Sequence, residues 1–222
     1  MAEPVKAVLF DMDGVVVDSR AVIEAAWGEV FTRYTGRVLT PAAIEEHVHG
    51  RVGSYTVAAL FPEHPDAHAE IWSAVDELEE NAHYQLIPGV RDLLAALTAR
   101  GTVVGLVTGS WRAKVRNVLS LLDLPTPFAT VVTREDVVHG KPHPEPYLLA
   151  CAALAVDPTD ALVFEDSASG VRSALAAGSR CVGIGGADLA AEGAHHVIAD
   201  FTELRLTGAG LLEGVDPPLS LR

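Results

Sequence analysis

Asp11 and Asp13 stand two residues apart, with Gly14 directly behind them, at the end of the apolar run Val8-Leu9-Phe10. Carboxylates placed there are costly unless a cation or another partner compensates them. Three further segments carry matching chemistry. Val107-Thr108-Gly109-Ser110 leads an apolar stretch into two hydroxyls around a glycine, Gly140-Lys141-Pro142 offers an ammonium, and Val163-Phe164-Glu165-Asp166 ends another apolar run in carboxylates. A hard cation such as Mg²⁺ takes oxygen ligands and keeps several waters. Asp11 and Asp166 can supply carboxylates to it, with Glu165 a further candidate and Asp13 contributing its backbone carbonyl. Asp11 is then a candidate nucleophile toward phosphorus, and Asp13 a candidate proton donor and later base. Thr108, Lys141 and the backbone N–H groups near Met12 and Gly109 can hold phosphoryl oxygens. Phosphoryl transfer asks mainly for such positioning and charge neutralisation.

Such residues need a scaffold that brings them to one edge. Short apolar runs at Val5 to Phe10, Val103 to Val107, Thr130 to Val132, Ala161 to Phe164, Cys181 to Ile184 and His196 to Ile198 read as buried parallel strands. They alternate with helical patterns at Val90 to Ala99, Ala113 to Leu122, Pro146 to Leu154 and Gly170 to Ala177. Alternation of that kind predicts a three-layer α/β fold with a doubly wound parallel sheet, whose ligands gather at the carboxyl ends of the strands. The segment from about Arg20 to Leu86 differs, because it holds only helical patterns: Ala21 to Tyr34, Ala42 to His49, Ser54 to Leu60 and Ala67 to Tyr84. Thr40 followed by Pro41 is a helix start signal. We therefore expect a core of residues 1–18 and 87–222 and an inserted helical domain of residues 19–86, joined by linkers near Val17 to Arg20 and Gln85 to Gly89 that allow hinging. The tail from Gly214 to Arg222, with Pro217-Pro218, reads as loosely held.

Composition narrows the function. The 222 residues carry a net charge of −14 and only three lysines, Lys6, Lys114 and Lys141. Nucleic-acid and anionic-membrane surfaces depend on Lys and Arg, so neither is an expected partner. A small phosphorylated metabolite is compatible, since a local field can oppose the global one. No run approaches the ~20 apolar residues of a membrane span, and the N-terminus lacks a signal-peptide pattern. Cys151 and Cys181 are isolated, which suits buried thiols in a reducing compartment. A cytoplasmic protein, monomeric or weakly homodimeric, is expected.

In this order and combination the four segments resemble the haloacid dehalogenase superfamily, in its phosphatase branch. The resemblance runs from Val5 to about Asp200. It implies that Asp11 forms an aspartyl-phosphate, that Asp13 is the general acid/base, that Thr108 and Lys141 bind the transferring group, and that Asp166 binds Mg²⁺ with Glu165 as helper or water-mediated ligand. It also implies a helical cap between the first and second motifs. Lys141-Pro142-His143-Pro144-Glu145-Pro146-Tyr147 and Phe164 to Gly170 look most like small sugar-phosphate and glycerol-phosphate phosphatases. His49-Gly50-Arg51 falls where relatives place a substrate-reading loop, making Arg51 and His49 candidate substrate contacts beside Gly109 and Ser110. The β-phosphoglucomutase relatives share the four motifs but carry a Lys-Asn pair in the cap. Here that helix reads Glu77-Leu78-Glu79-Glu80-Asn81-Ala82-His83-Tyr84 and the cap holds no lysine, so the mutase stands as the alternative.

Plainer readings exist for each feature. Thr108-Gly109-Ser110 can serve as a helix N-cap, Glu165 can cap a helix or meet Lys141, and Arg51 can form an ordinary ion pair. The nine histidines form no compact zinc-ligand set in sequence. Trp27, Trp72 and Trp111 read as packing residues. Ser110 and Ser167 lack a His/Asp relay. A non-catalytic binding scaffold is the remaining rival.

Overall fold

The computed structural model describes residues 4–51, 53–123 and 127–221. The elements run in the order β1 (Ala7–Phe10), β2 (Val17–Asp18), α1 (Arg20–Thr35), α2 (Pro41–His47), α3 (Gly53–Leu60), α4 (His68–Glu80), β3 (Gln85–Leu86), α5 (Val90–Arg100), β4 (Val103–Val107), α6 (Arg112–Leu122), β5 (Thr130–Val132), α7 (Glu145–Ala153), β6 (Ala161–Glu165), α8 (Ala168–Ala176), β7 (Arg180–Ile184), β8 (His196–Ile198), β9 (Arg205–Leu206), β10 (Leu211–Glu213) and β11 (Leu219–Ser220). They fall into two compact units, Met1–Asp18 with Gln85–Arg222, and Ser19–Tyr84.

In the first unit six strands form a parallel sheet in the order β5-β4-β1-β6-β7-β8. The chain builds outward from β1 to one side through β4 and β5, then returns to build the other side, so β1 lies at the switch point where open sheets bind ligands. Every residue of β1 is buried, as expected of a strand covered on both faces. Successive side chains alternate between faces. Leu9 joins Val107, Val163, Tyr147, Ala150 and Val171 beneath α7 and α8, whereas the Phe10 ring packs with Phe164 and Phe201 at centroid distances of 5.1 and 5.8 Å. Helices on both faces give the expected three layers.

Two expectations need correction. The stretches read as linkers contain a two-stranded antiparallel ribbon, with Val17 opposite Leu86 and Asp18 opposite Gln85, and the Ile87 N–H donates to the Val16 carbonyl at 3.0 Å. The two crossings of the chain thus satisfy each other's backbone groups. The tail is not loosely held. β11 pairs with β10, the Val5 N–H donates to the Ser220 carbonyl at 2.8 Å, and Leu212, Val215 and Leu221 are buried, so apolar side chains outweigh the Pro217-Pro218 signal. Arg222 lies outside the described residues.

The second unit, Ser19–Tyr84, is helical apart from its connections. Trp27, Val30 and Phe31 of α1 and Ile71 and Val75 of α4 recur at helical spacing and pack with Val57, Leu60 and Phe61. Thr40 is the N-cap of α2, its hydroxyl accepting from the Ala43 N–H at 3.2 Å, with Pro41 in the first turn.

Candidate active site

β1, β4 and β6 deliver the key side chains because they are neighbours in the sheet. Asp11 follows the last residue of β1, and its N–H continues the ladder to the Phe164 carbonyl at 3.0 Å. Thr108 follows β4, and its N–H donates to Val132 at 2.9 Å. Glu165 ends β6. After Asp11 the chain turns tightly. The Met12 carbonyl accepts the N–H groups of Val16 and Val17 at 2.8 and 3.0 Å, and the Gly14 N–H donates to Val17 at 2.8 Å. Gly14 has φ +73°, and a Cβ there would lie 1.9 Å from Asp166 Oδ2. The glycine is required twice over, by its backbone angle and by the carboxylate lying against it.

Lys141 ties the strand ends together. Its ammonium donates to Asp11 Oδ1 at 2.7 Å, to the Val107 carbonyl at 2.9 Å and to Glu165 Oε1 at 2.5 Å, which uses its three donors. Glu165 is fully buried. Its Oε1 also accepts from the Tyr147 hydroxyl at 2.7 Å. Its Oε2 accepts from the N–H groups of Asp166 and Ser167 and from the Ser167 hydroxyl, at 3.1 to 3.3 Å. Both plainer readings of Glu165 therefore hold together: it meets Lys141 and it gathers donors at the start of α8. With five donors on about four lone-pair sites, Glu165 is satisfied by protein groups.

Electrostatics follow from crowding. Burial above all, then the charges of Glu165 and Asp13, push the Asp11 carboxyl up to about 7 against the pull of Lys141. Loss of hydration, then Asp11, Glu165 and Asp13, raises Asp166 well above the ordinary carboxylate range. Burial alone would lower Lys141, but Asp11 and Glu165 more than offset it and hold the ammonium above the usual lysine value. Burial, then Glu165 and Asp11, lifts the Tyr147 phenol well above its ordinary value.

Asp13 is held separately. Ser110 Oγ donates to its Oδ2 at 2.7 Å and Lys114 Nζ donates to its Oδ1 at 2.7 Å. Ser110, expected to face substrate, is thus spent on Asp13. Thr108 Oγ1 accepts from the Ser110 N–H at 3.0 Å, while the N-cap of α6 is Trp111, with no side-chain cap bond. The N-cap reading of Thr108 to Ser110 is corrected: those residues shape the loop before the helix. At Gly109 an added Cβ would meet no atom within 4 Å. In the sequence Lys114 stands outside the four motif segments. A signal was present, since position 114 shares the buried face of α6 with Val118 and Leu122, and a charge on an apolar stripe needs a partner.

Oxygens of Asp11, Glu165 and Asp166 lie within 4.8 Å of one another. An all-carboxylate donor set suits a hard divalent cation. His139, His143 and Glu145 form a second such group. There His143 Nδ1 accepts the Glu145 N–H at 3.2 Å, and Glu145 accepts from Val138 N–H, His139 N–H and the His139 ring at 2.8 to 3.0 Å, so its donors serve the local fold.

In the second unit, His49 Nε2 meets Glu24 Oε1 at 2.9 Å. Arg51 Nε donates to the Glu46 carbonyl at 3.2 Å, and its guanidinium lies 5.4 Å from the Tyr55 ring centroid. Both candidate substrate contacts are engaged within their own unit, and Val52 of the same loop lies outside the described residues.

A strand-end acid at the switch point of a parallel sheet, tied by a lysine to an acid on the adjacent strand, is shared with a class of known proteins. A family model described as haloacid dehalogenase-like hydrolase matches residues 8–184, and the chain belongs to that family. It is 33% identical over 216 residues to the validoxylamine A 7′-phosphate phosphatase of Streptomyces hygroscopicus subsp. limoneus, covering 90% of this chain and 96% of that protein. It is 30% identical over 246 residues to the β-phosphoglucomutase of Mycobacterium bovis, covering 92% and 93%. The crystal structure of CbbY from Rhodobacter sphaeroides in complex with phosphate superposes with a TM-score of 0.78 at 26% identity, over 90% of this chain and 96% of that one. Among the described residues no helix is long and apolar enough to cross a membrane.

Proposed function

We propose that this hydrolase is a Mg²⁺-dependent phosphomonoesterase acting on a small sugar or glycerol phosphate through an aspartyl-phosphate. The observation that carries the reading is Asp11, held by Lys141 at the end of the central strand with Asp166 beside it. Asp11 and Asp166 are the residues to hold Mg²⁺, with the Asp13 backbone carbonyl. When bound, the ion supplies positive charge against the phosphoryl oxygens and keeps these carboxylates ionised. Glu165, its acceptors already satisfied, acts by fixing Lys141 and the start of α8, in place of a direct metal bond.

In the first step an Asp11 oxygen bonds to phosphorus, the ester P–O bond breaks, and Asp13 gives its proton to the departing alkoxide. In the second, Asp13 takes a proton from water, the water oxygen bonds to phosphorus, and the Asp11–phosphorus bond breaks to free phosphate. Thr108 and the N–H of Gly109 steady the transferring oxygens, while Lys141, its three donors engaged, holds Asp11 and lends its charge to the site. Residues 1–18 and 87–222 are the proposed catalytic core and 19–86 the proposed cap, with Arg51 and His49 as its candidate substrate readers. The same reading keeps the protein cytoplasmic, and monomeric or weakly dimeric.

A phosphate-release screen across sugar phosphates, glycerol phosphates and nucleotides, with Mg²⁺ and with chelator, tests this. Metal-dependent release from small phosphate esters is expected, and none from any of them contradicts it. The mutase reading draws on the Mycobacterium bovis relative. Against it, residues 19–86 hold no lysine to grip a second phosphate. Incubation with β-glucose 1-phosphate separates the two, free phosphate supporting the hydrolase and glucose 6-phosphate the mutase.

A further inference from the structure

Of the three lysines, Lys114 is the most deeply placed. Its side chain is 1% exposed, against 11% for Lys141 and 38% for Lys6. Removing an ammonium from water costs several kcal/mol unless its partners are well placed. Here the ammonium meets Asp13 Oδ1 at 2.7 Å and lies 5.6 Å from the Trp111 ring centroid. Ser110 takes the other carboxylate oxygen at the same distance. Asp13 is therefore gripped at both oxygens, once from α6 and once from the loop before it. An aspartate has two side-chain torsions, and a two-point grip selects one combination of them. The arrangement parallels Asp11, which has Lys141 as its own lysine.

We propose that Lys114 is a positioning residue for Asp13, setting the orientation from which Asp13 exchanges a proton with the leaving oxygen. This rests on the acid/base reading of Asp13 given above. Its consequence depends on the ester. An alkoxide leaves poorly without a proton, whereas 4-nitrophenolate leaves well without one. Misplacing the acid therefore penalises alkyl phosphates and spares aryl phosphates.

The test compares kcat/KM for glycerol 3-phosphate and 4-nitrophenyl phosphate in the wild type, Lys114→Met and Asp13→Asn, with thermal unfolding of each. The ratio kcat/KM covers the steps up to loss of the leaving group and so excludes the hydrolysis that both esters share. Asp13→Asn is expected to lose ~10²–10⁴-fold on the alkyl ester and far less on the aryl ester. Lys114→Met should follow the same pattern, losing about 10²-fold on the alkyl ester and less than about threefold on the aryl ester. Equal losses on both esters, or none, while Asp13→Asn discriminates between them, overturns the positioning role alone. No discrimination in Asp13→Asn overturns the acid reading and the proposal with it. If Lys114→Met does not fold, Lys114→Gln, which keeps a donor on a shorter stem, carries the same comparison.

Discussion

At the amino end of the sheet Lys6 meets Asp160 at 2.5 Å, joining the residue before β1 to the residue before β6. At the carboxyl end Lys141 meets Glu165 at the same distance, across the far ends of the same two strands. The first pair is partly open to solvent, with Lys6 38% exposed and its charge also reaching Asp157. The second belongs to a crowd in which Asp11, Asp13, Glu165 and Asp166 face Lys141 and Lys114. Both ends staple β1 to β6, but the larger surplus of acid lies at the carboxyl end, where four acids face two lysines. A stabilising pair needs no surplus. A surplus of crowded acid raises pKa values and is what a divalent cation and a phosphoryl group can use.

The sharpest way to break this comparison is to neutralise one acid at each end. Asp11→Asn should lower kcat on the order of 10⁴-fold or more with no loss of Tm, since it removes a charge from a crowded cluster. Asp160→Asn should leave kcat within about twofold and lower stability by roughly 1 kcal/mol. Steady-state kinetics with thermal unfolding read both, and the reverse pattern refutes the division of labour. Next in size is the pair of lysines. Lys141→Met strands the buried Glu165 and should cost about 3–5 kcal/mol, whereas Lys6→Met should cost about 1 kcal/mol or less, in denaturant titrations. Equal costs would mean that the two ends are built alike.

Gly14→Ala sharpens the carboxyl end further. The added methyl meets the Asp166 carboxylate and the backbone angle resists it, so Mg²⁺ affinity measured by calorimetry should fall about 10–100-fold. Unchanged affinity argues against Asp166 as a ligand. The crowding also sets the pH dependence. The folded Asp11 carboxyl is raised from 3.8 to about 7, so its stabilising share is complete below about pH 4 and is lost as pH rises through about 7. Metal-free protein should thus melt at lower temperature at pH 8 than at pH 5, and excess Mg²⁺ should flatten that slope. A metal-free Tm that rises over this interval contradicts the crowding.

Much of the fold was legible because parallel strands buried on both faces appear as continuous apolar runs. Val103 to Val107, Thr130 to Val132 and His196 to Ile198 match their strands end to end. The ribbon of β2 with β3 and the small sheet of β9 to β11 were not legible. Strands of two or three residues have no period to detect, and long-range backbone pairing defines them. Within the candidate site, the motif acids and Lys141 announced themselves by ending apolar runs or by scarcity. Lys114 did not, because its meaning depends on a contact one turn into a helix with a residue 101 positions away. The saturation of Glu165 was hidden for a similar reason, as its donors come from α7 and the turn between β6 and α8 as well as from Lys141.

Rapid acid quench during turnover, followed by digestion and mass spectrometry, asks the central question directly. A phosphoryl group found on Asp11, formed with substrate and Mg²⁺ and absent in Asp11→Asn, is the predicted result. Turnover at the full rate with no phosphoryl group on Asp11 at any quench time, or with one on a different residue, contradicts it.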